Sequence, residues 1–202
     1  MPVRDEKHMQ EQRQRIIKAA FSCFLREGFQ KTSIRAICKE AGLAVGTLYI
    51  HFKDRNEIIS SMKSMAYDKP IEEIKFNEWD EFLNFLTATI DFKKNPDSLK
   101  YAVCDFRLAV ESLSNEDLRQ LFNKRSKELL IWVKACLSQF VEQGQIELPL
   151  GIDTTAQALR YLIDGITTSQ IIFEDSQGAQ SPVDVFNKTL SALIRIPGKA
   201  SP

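Results

Sequence analysis

Residues 32–53 read TSIRAICKEAGLAVGTLYIHFK. Ile34, Ile37, Cys38 and Ala41 recur at helical spacing and share one face. Thr32 and Ser33 precede them, and Ser33 is the better placed to accept a backbone N–H at the start of a helix. Gly42 ends that helix, and Leu43 follows as an apolar plug from the turn. A second short helix is predicted over residues 45–52, with Leu48 and Phe52, four apart, as its inner face. Ala36 and Ala41 are small enough for the two helices to cross closely. This is the build of a helix-turn-helix, which lays one helix across a DNA backbone and the next in the major groove. Val45, Thr47, Tyr49 and Ile50 are left partly outward, and Thr32, Ser33, Tyr49, His51 and Lys53 are phosphate donors by residue type.

The flanks extend the pattern. Residues 12–27 form an amphipathic helix whose apolar stripe is Ile16, Ile17, Ala20, Phe21, Phe24 and Leu25, stopped by Gly28. Asp54 caps a fourth helix through Ile58, Ile59, Met62 and Met65, and Pro70 closes the segment. Helices are then predicted over residues 78–92, from Asp97 through Val110, over 115–143, from Asp153 or Thr154 to about Asp175, and from Pro182 to just before Pro197. No strand pattern or repeat is visible, and 8 Gly and 7 Pro in 202 residues are too few for the turns of an all-β chain. The expected class is all-α, with about nine helices.

Formal net charge is zero but uneven. Residues 1–67 carry 12 Lys+Arg against 7 Asp+Glu, a balance of +5, which leaves 15 against 20, or −5, for residues 68–202. A basic head on an acidic body suits a polyanionic partner for the head alone. Arg4, Lys7, Arg13 and Arg15 read equally as a DNA-contacting arm or as an idle terminus. No run of about 18 apolar residues is present and the N-terminal residues lack the apolar core of a signal peptide, so a cytoplasmic protein without membrane spans is expected. Cys23, Cys38, Cys104 and Cys136 are far apart and form no C-x-x-C, which favours buried thiols over a metal site. Nucleotide-binding, nucleophile-elbow and metal-spacing motifs are absent, so neither catalysis nor a cofactor is expected.

The order of pieces is more specific than the periodicity. I-I-x-A-A-x-x-x-F starts at Ile16, E-G-F at Glu27, T-S-I-x-x-I at Thr32, E-A-G-L at Glu40 and G-T-L-Y-x-H-F-K at Gly46. Together they resemble the TetR family of bacterial regulators over about a quarter of the chain. The resemblance implies a homodimeric, ligand-responsive regulator of double-stranded operator DNA, usually a repressor. It implies that Thr32 and Ser33 hold phosphates, that Val45, Gly46, Thr47 and Tyr49 face the major groove, and that Tyr49, His51 and Lys53 clamp the backbone. It also implies a division into residues 1–53 (arm and helix-turn-helix), 54–70 (connecting helix) and 71–202 (effector-binding and dimerisation domain). Ala44 departs from the family's usual serine, which removes a side-chain cap worth about 1 kcal/mol. Ile50 replaces a polar or aromatic residue and has two readings, contact with a thymine methyl or inward packing. Tyr49 and His51 each have a second reading as core residues, and Lys53 as an ordinary solvated lysine.

The larger body offers two weaker sets of candidates. Phe82, Phe85, Phe106, Trp132 and Phe173 belong to an aromatic set that reads either as plain core or as the lining of a hydrophobic effector pocket. The last two helices carry surplus apolar surface, and Tyr161, Gly165, Thr168, Phe186, Leu190 and Leu193 are the expected dimer interface. The competing reading is a helical protein-interaction adaptor without DNA binding.

Overall fold

The computed structural model describes residues 3–62, 73–173 and 180–198, with side chains from Glu6 onward and excepting Ser60. The described residues form nine helices: α1 (Val3–Glu27), α2 (Ile34–Ala41), α3 (Val45–His51), α4 (Arg55–Met62), α5 (Trp79–Ile90), α6 (Pro96–Glu111), α7 (Glu116–Glu142), α8 (Gly151–Ile172) and α9 (Pro182–Leu193). The only extended pairing among them is one antiparallel bridge, Glu147 with Arg195. The all-α expectation is met. Met65, Pro70 and Asp175 lie outside the described residues.

Two compact units emerge, Met1–Pro70 with Val103–Asn123, and Ile71–Ala102 with Lys124–Pro202. The first therefore takes the second half of α6 and the start of α7 into the head, which chain order alone does not suggest. Its core joins Ile16, Ile17, Ala20 and Phe24 of α1 to Ile37, Leu48 and Ile58 of the next three helices, with Phe52 between α3 and α4. Cys104, Leu108 and Leu118 complete it. Gln30 Nε2 donates to Glu111 Oε1 at 2.9 Å, and Asn56 Nδ2 to Asp117 Oδ2 at 3.2 Å, so polar contacts fasten the same pieces at the rim.

Helix α1 begins nine residues earlier than its apolar stripe indicates. Residues 3–11 (VRDEKHMQE) have no inner face to announce them, but they contain no glycine or proline and are mostly good helix formers. His8 thus sits on a helix rather than in a loose arm.

The second unit packs α5, the remainder of α7, α8 and α9 around Phe82, Leu86, Ile90, Leu137, Phe140, Ala156, Leu159, Phe186, Leu190 and Ile194. Glu78 and Glu81 form a reciprocal capping box at the start of α5. Trp79 N donates to Gln145 Oε1 at 2.7 Å and Gln139 Nε2 to the Phe76 carbonyl at 2.8 Å, which ties the loop before α5 to the end of α7. Phe186, Leu190 and Ile194, at i, i+4 and i+8, turn inward. Phe186 is fully buried, so it and Leu190 belong to the chain's own core and are removed from the interface candidates. Cys23, Cys38, Cys104 and Cys136 are all buried free thiols.

Candidate nucleic-acid interface

The reading head is built from caps inward. Ser33 Oγ accepts the Ala36 amide at 3.1 Å and starts α2. Gly42 ends it with φ at 63°, in the left-handed region that L side chains avoid. Its amide donates to the Lys39 carbonyl at 3.2 Å and the Leu43 amide to that of Cys38 at 2.9 Å, closing the turn tightly enough to swing the chain directly into α3. The Arg15 guanidinium lies over this glycine, with Nη2 2.8 Å from where a Cβ would stand. Ala44 supplies no side-chain cap to α3, as its methyl dictates. The end of α3 is held instead by Arg13 of α1. Its guanidinium stacks 4.1 Å from the centre of the Phe52 ring, donates to the His51 carbonyl and pairs with Glu57 at 3.4 Å. Asp54 Oδ1 accepts the Glu57 amide at 2.9 Å, and Glu57 Oε2 accepts the Lys53 amide at 2.7 Å, so α4 starts in a fixed direction.

Arg13 is thus fastened to α3, and Arg15 lies against the turn. Sequence reasoning missed that role, although Arg13 precedes Ile16 and Ile17 by three and four positions and so shares their inner face.

With Leu48 and Phe52 fully inward, the opposite side of α3 is open. Val45 is 39% exposed, Tyr49 54% and Ile50 70%. Gly46 is also exposed, and no heavy atom lies within 4 Å of where its Cβ would be. Thr47 is half-buried and Lys53 is exposed. Val45, Gly46, Tyr49 and Ile50 therefore share one outward arc of α3, with exposed Lys53 just beyond its end, and the inward reading of Ile50 falls away. The core reading of Tyr49 falls with it.

Two residues expected to hold phosphate are placed otherwise. His51 is only 6% exposed, three residues after Leu48 and hence on the packed side. Its Nδ1 is buried without a hydrogen-bond partner among the described residues. Burial, with Arg13 and His8 adding positive charge nearby, pushes the imidazole below its ordinary 6.5. It is a neutral core histidine, and only its backbone carbonyl takes part in holding α3. Thr32 is likewise buried, and its hydroxyl donates to the Gly28 carbonyl at 2.8 Å, spending its proton on closing the turn after α1. Ser33 is exposed and its hydroxyl proton stays available.

The sign of the His51 shift gives a pH prediction. Above 6.5 the imidazole is neutral whether the chain is folded or not. As pH falls below 6.5 the unfolded chain binds a proton that the folded chain resists, so stability is lost on acidification. Melting temperatures from pH 7.5 to 5 should decline less steeply for His51→Gln than for the parent. Equal slopes would contradict a buried neutral His51.

A helix-turn-helix with a solvent-facing second helix, in a chain that also carries a second helical unit, is the geometry that comparison with known proteins then meets. A model described as "Bacterial regulatory proteins, tetR family" matches residues 16–62, the span from the α1 core to the end of α4. Residues 16–62 are the DNA-binding head of the TetR family of transcriptional regulators. The likeness continues past the head. An uncharacterised HTH-type transcriptional regulator of Bacillus subtilis, YfiR, is 22% identical over 85% of this chain and 86% of its own length. A fatty acid metabolism regulator protein of the same species is 24% identical over 78% of this chain and 82% of its own. The crystal structure of NalD, the secondary repressor of the MexAB-OprM multidrug efflux pump in Pseudomonas aeruginosa, superposes with a TM-score of 0.68 at 13% identity, covering 96% of this chain and all of NalD. As a TetR-family regulator the chain is a DNA-binding protein and not an enzyme. No helix among the described residues is long and apolar enough to cross a membrane.

The remaining candidates are placed unequally. Phe82, Phe85 and Trp132 come together with Phe76, at ring-centre distances of 5.2 to 6.1 Å. Phe106 falls in the first unit, because the second half of α6 folds with the head. Phe173 caps the end of α8, is 67% exposed and lies outside the aromatic cluster. Neither belongs with the other three. Tyr161 and Gly165 are exposed on α8, Thr168 is half-buried, and Leu193 packs partly against the core.

Proposed function

We propose that the chain is a homodimeric repressor that leaves its operator when a hydrophobic small molecule binds the second unit. The observation that carries the DNA half is the outward arc of α3, where Val45, Gly46, Tyr49 and Ile50 stay open while Leu48 and His51 are packed, with exposed Lys53 directly after the helix. Ser33 at the start of α2 adds a phosphate donor. A dimer is supported by the strip Tyr161, Gly165, Thr168 and Ile172 on α8, at i, i+4, i+7 and i+11. Its glycine has open space on its outer side, which lets a second copy approach closely. The effector half is supported by the apolar cluster of Phe76, Phe82, Phe85 and Trp132, and by a relative that regulates fatty acid metabolism. An acyl chain is the chemistry such a lining favours.

The test joins the halves. The chain is bound to a duplex recovered from fragments of its source genome and titrated with a series of straight-chain fatty acids, following the fluorescence of Trp79 and Trp132 and duplex release together. Release that tracks the fluorescence change, from a complex of mass two chains per duplex, is expected. A complex indifferent to every acid that changes the fluorescence would contradict ligand control. No retained duplex would favour the adaptor reading.

A further inference from the structure

The geometry points to Ile50 as a specificity-determining residue that reads thymine through its C5 methyl group. The inference rests on the assignment of α3 as the base-reading helix and deepens it.

From Ala44 to Lys53 the chain contains no Arg, Asn, Gln, Asp or Glu. The side chains that read guanine by a guanidinium fork, adenine by an amide or cytosine by a carboxylate are therefore missing from α3. Its polar groups are few. Thr47 is half-buried, His51 is buried, and Lys53 stands beyond the last turn. What the helix does present is the Tyr49 phenol and two aliphatic side chains. Ile50, 70% exposed, is the most exposed large apolar side chain among the described residues of α1 to α4, and Val45 lies across Gly46 and Tyr49 on the same arc. Gly46 precedes Ile50 by one turn, and among the described residues no neighbouring heavy atom lies within 4 Å of where its Cβ would stand. The backbone can thus come close to whatever Ile50 touches. A β-branched side chain on a helix is nearly fixed at χ1, so Ile50 is oriented before it binds.

An exposed isoleucine at this position is costly in water and is matched by one feature of a DNA major groove. Among the base edges there, the thymine C5 methyl is the distinctive apolar group. Contact would bury the methyl against Ile50 and discriminate thymine from cytosine without a hydrogen bond.

The experiment isolates that methyl. The full chain selects from a randomised duplex library, and the consensus duplex is remade with deoxyuridine in place of each thymidine, one half-site position at a time. Base pairing is kept and only the methyl goes. At one position in each half-site the change should weaken binding by the parent roughly fourfold per methyl, the transfer value of one such group. Ile50→Ala should bind the thymidine and deoxyuridine duplexes alike, and Ile50→Val should recover part of the difference. Because Ile50 lies on the surface, both variants should keep the parent's melting temperature. Equal binding of both duplexes by the parent would overturn the inference, as would discrimination that survives in Ile50→Ala. Two failures are separable. If Tyr49→Ala and Lys53→Ala weaken binding but no methyl matters, only the thymine assignment falls. If those variants and Ile50→Ala all bind the selected duplex as the parent does, the reading of α3 falls and takes the thymine assignment with it.

Discussion

Phe52→Ala should cost about 3–5 kcal/mol of stability, the range for truncating a fully buried phenylalanine, and should abolish DNA retention with it. Phe52 is 1% exposed and ends α3 among Ile16, Ile37, Leu48 and Ile58. Removing its ring opens a cavity where α1, α2 and α4 meet α3. It also strips the Arg13 guanidinium of the surface it stacks on, which slackens the grip of Arg13 on the His51 carbonyl and on Glu57. Phe52→Leu keeps most of the volume and should lose less than half as much. Urea unfolding followed by far-UV circular dichroism measures both. A loss under about 1 kcal/mol for the alanine variant, below the usual core range, would mean that Phe52 does not hold the head together.

Tyr49→Ala combined with Lys53→Ala should behave in the opposite way. Both residues are exposed, so the stability change should stay within about 0.5 kcal/mol. Affinity for the selected duplex should nonetheless fall by about a thousandfold or more, since each lost phosphate or base-edge contact costs on the order of 1–2 kcal/mol and two are lost in each of two protomers. Gel-shift titration and thermal melting on the same preparations separate the two quantities. An unfolded variant, or one of parent affinity, would place the DNA contacts elsewhere. The contrast between Phe52, buried, and Lys53, its exposed neighbour, makes the experiment sharp.

Much of the head was legible in the sequence because its signals are local. Ser33, Gly42 and Asp54 act within three or four residues, and the stripes of α1 and α2 need only helical periodicity. Ala44 as an uncapped start was readable for the same reason. What escaped depends on contacts distant in the chain. His51 and Thr32 look like phosphate donors by type, but packing buries the first and the Gly28 carbonyl engages the second. Arg13 carries the same charge whether it meets DNA or the end of α3, and only the fold decides. Phe186 and Leu190 belong to a helix with surplus apolar surface, and such a pattern is the same whether the face meets its own core or a second chain. Phe106 was grouped with the body because chain order does not reveal that Val103–Asn123 folds with the head.

The salt dependence of binding tests the central claim most directly. Affinity of the full chain for its selected duplex is measured across 50–300 mM salt, beside Lys53→Ala. The outward arc of α3, with Lys53 on a phosphate, predicts a steep linear fall of log affinity with log salt, and a slope shallower by about one per contacting lysine in the variant. A salt-independent affinity, or identical slopes for parent and variant, would contradict it.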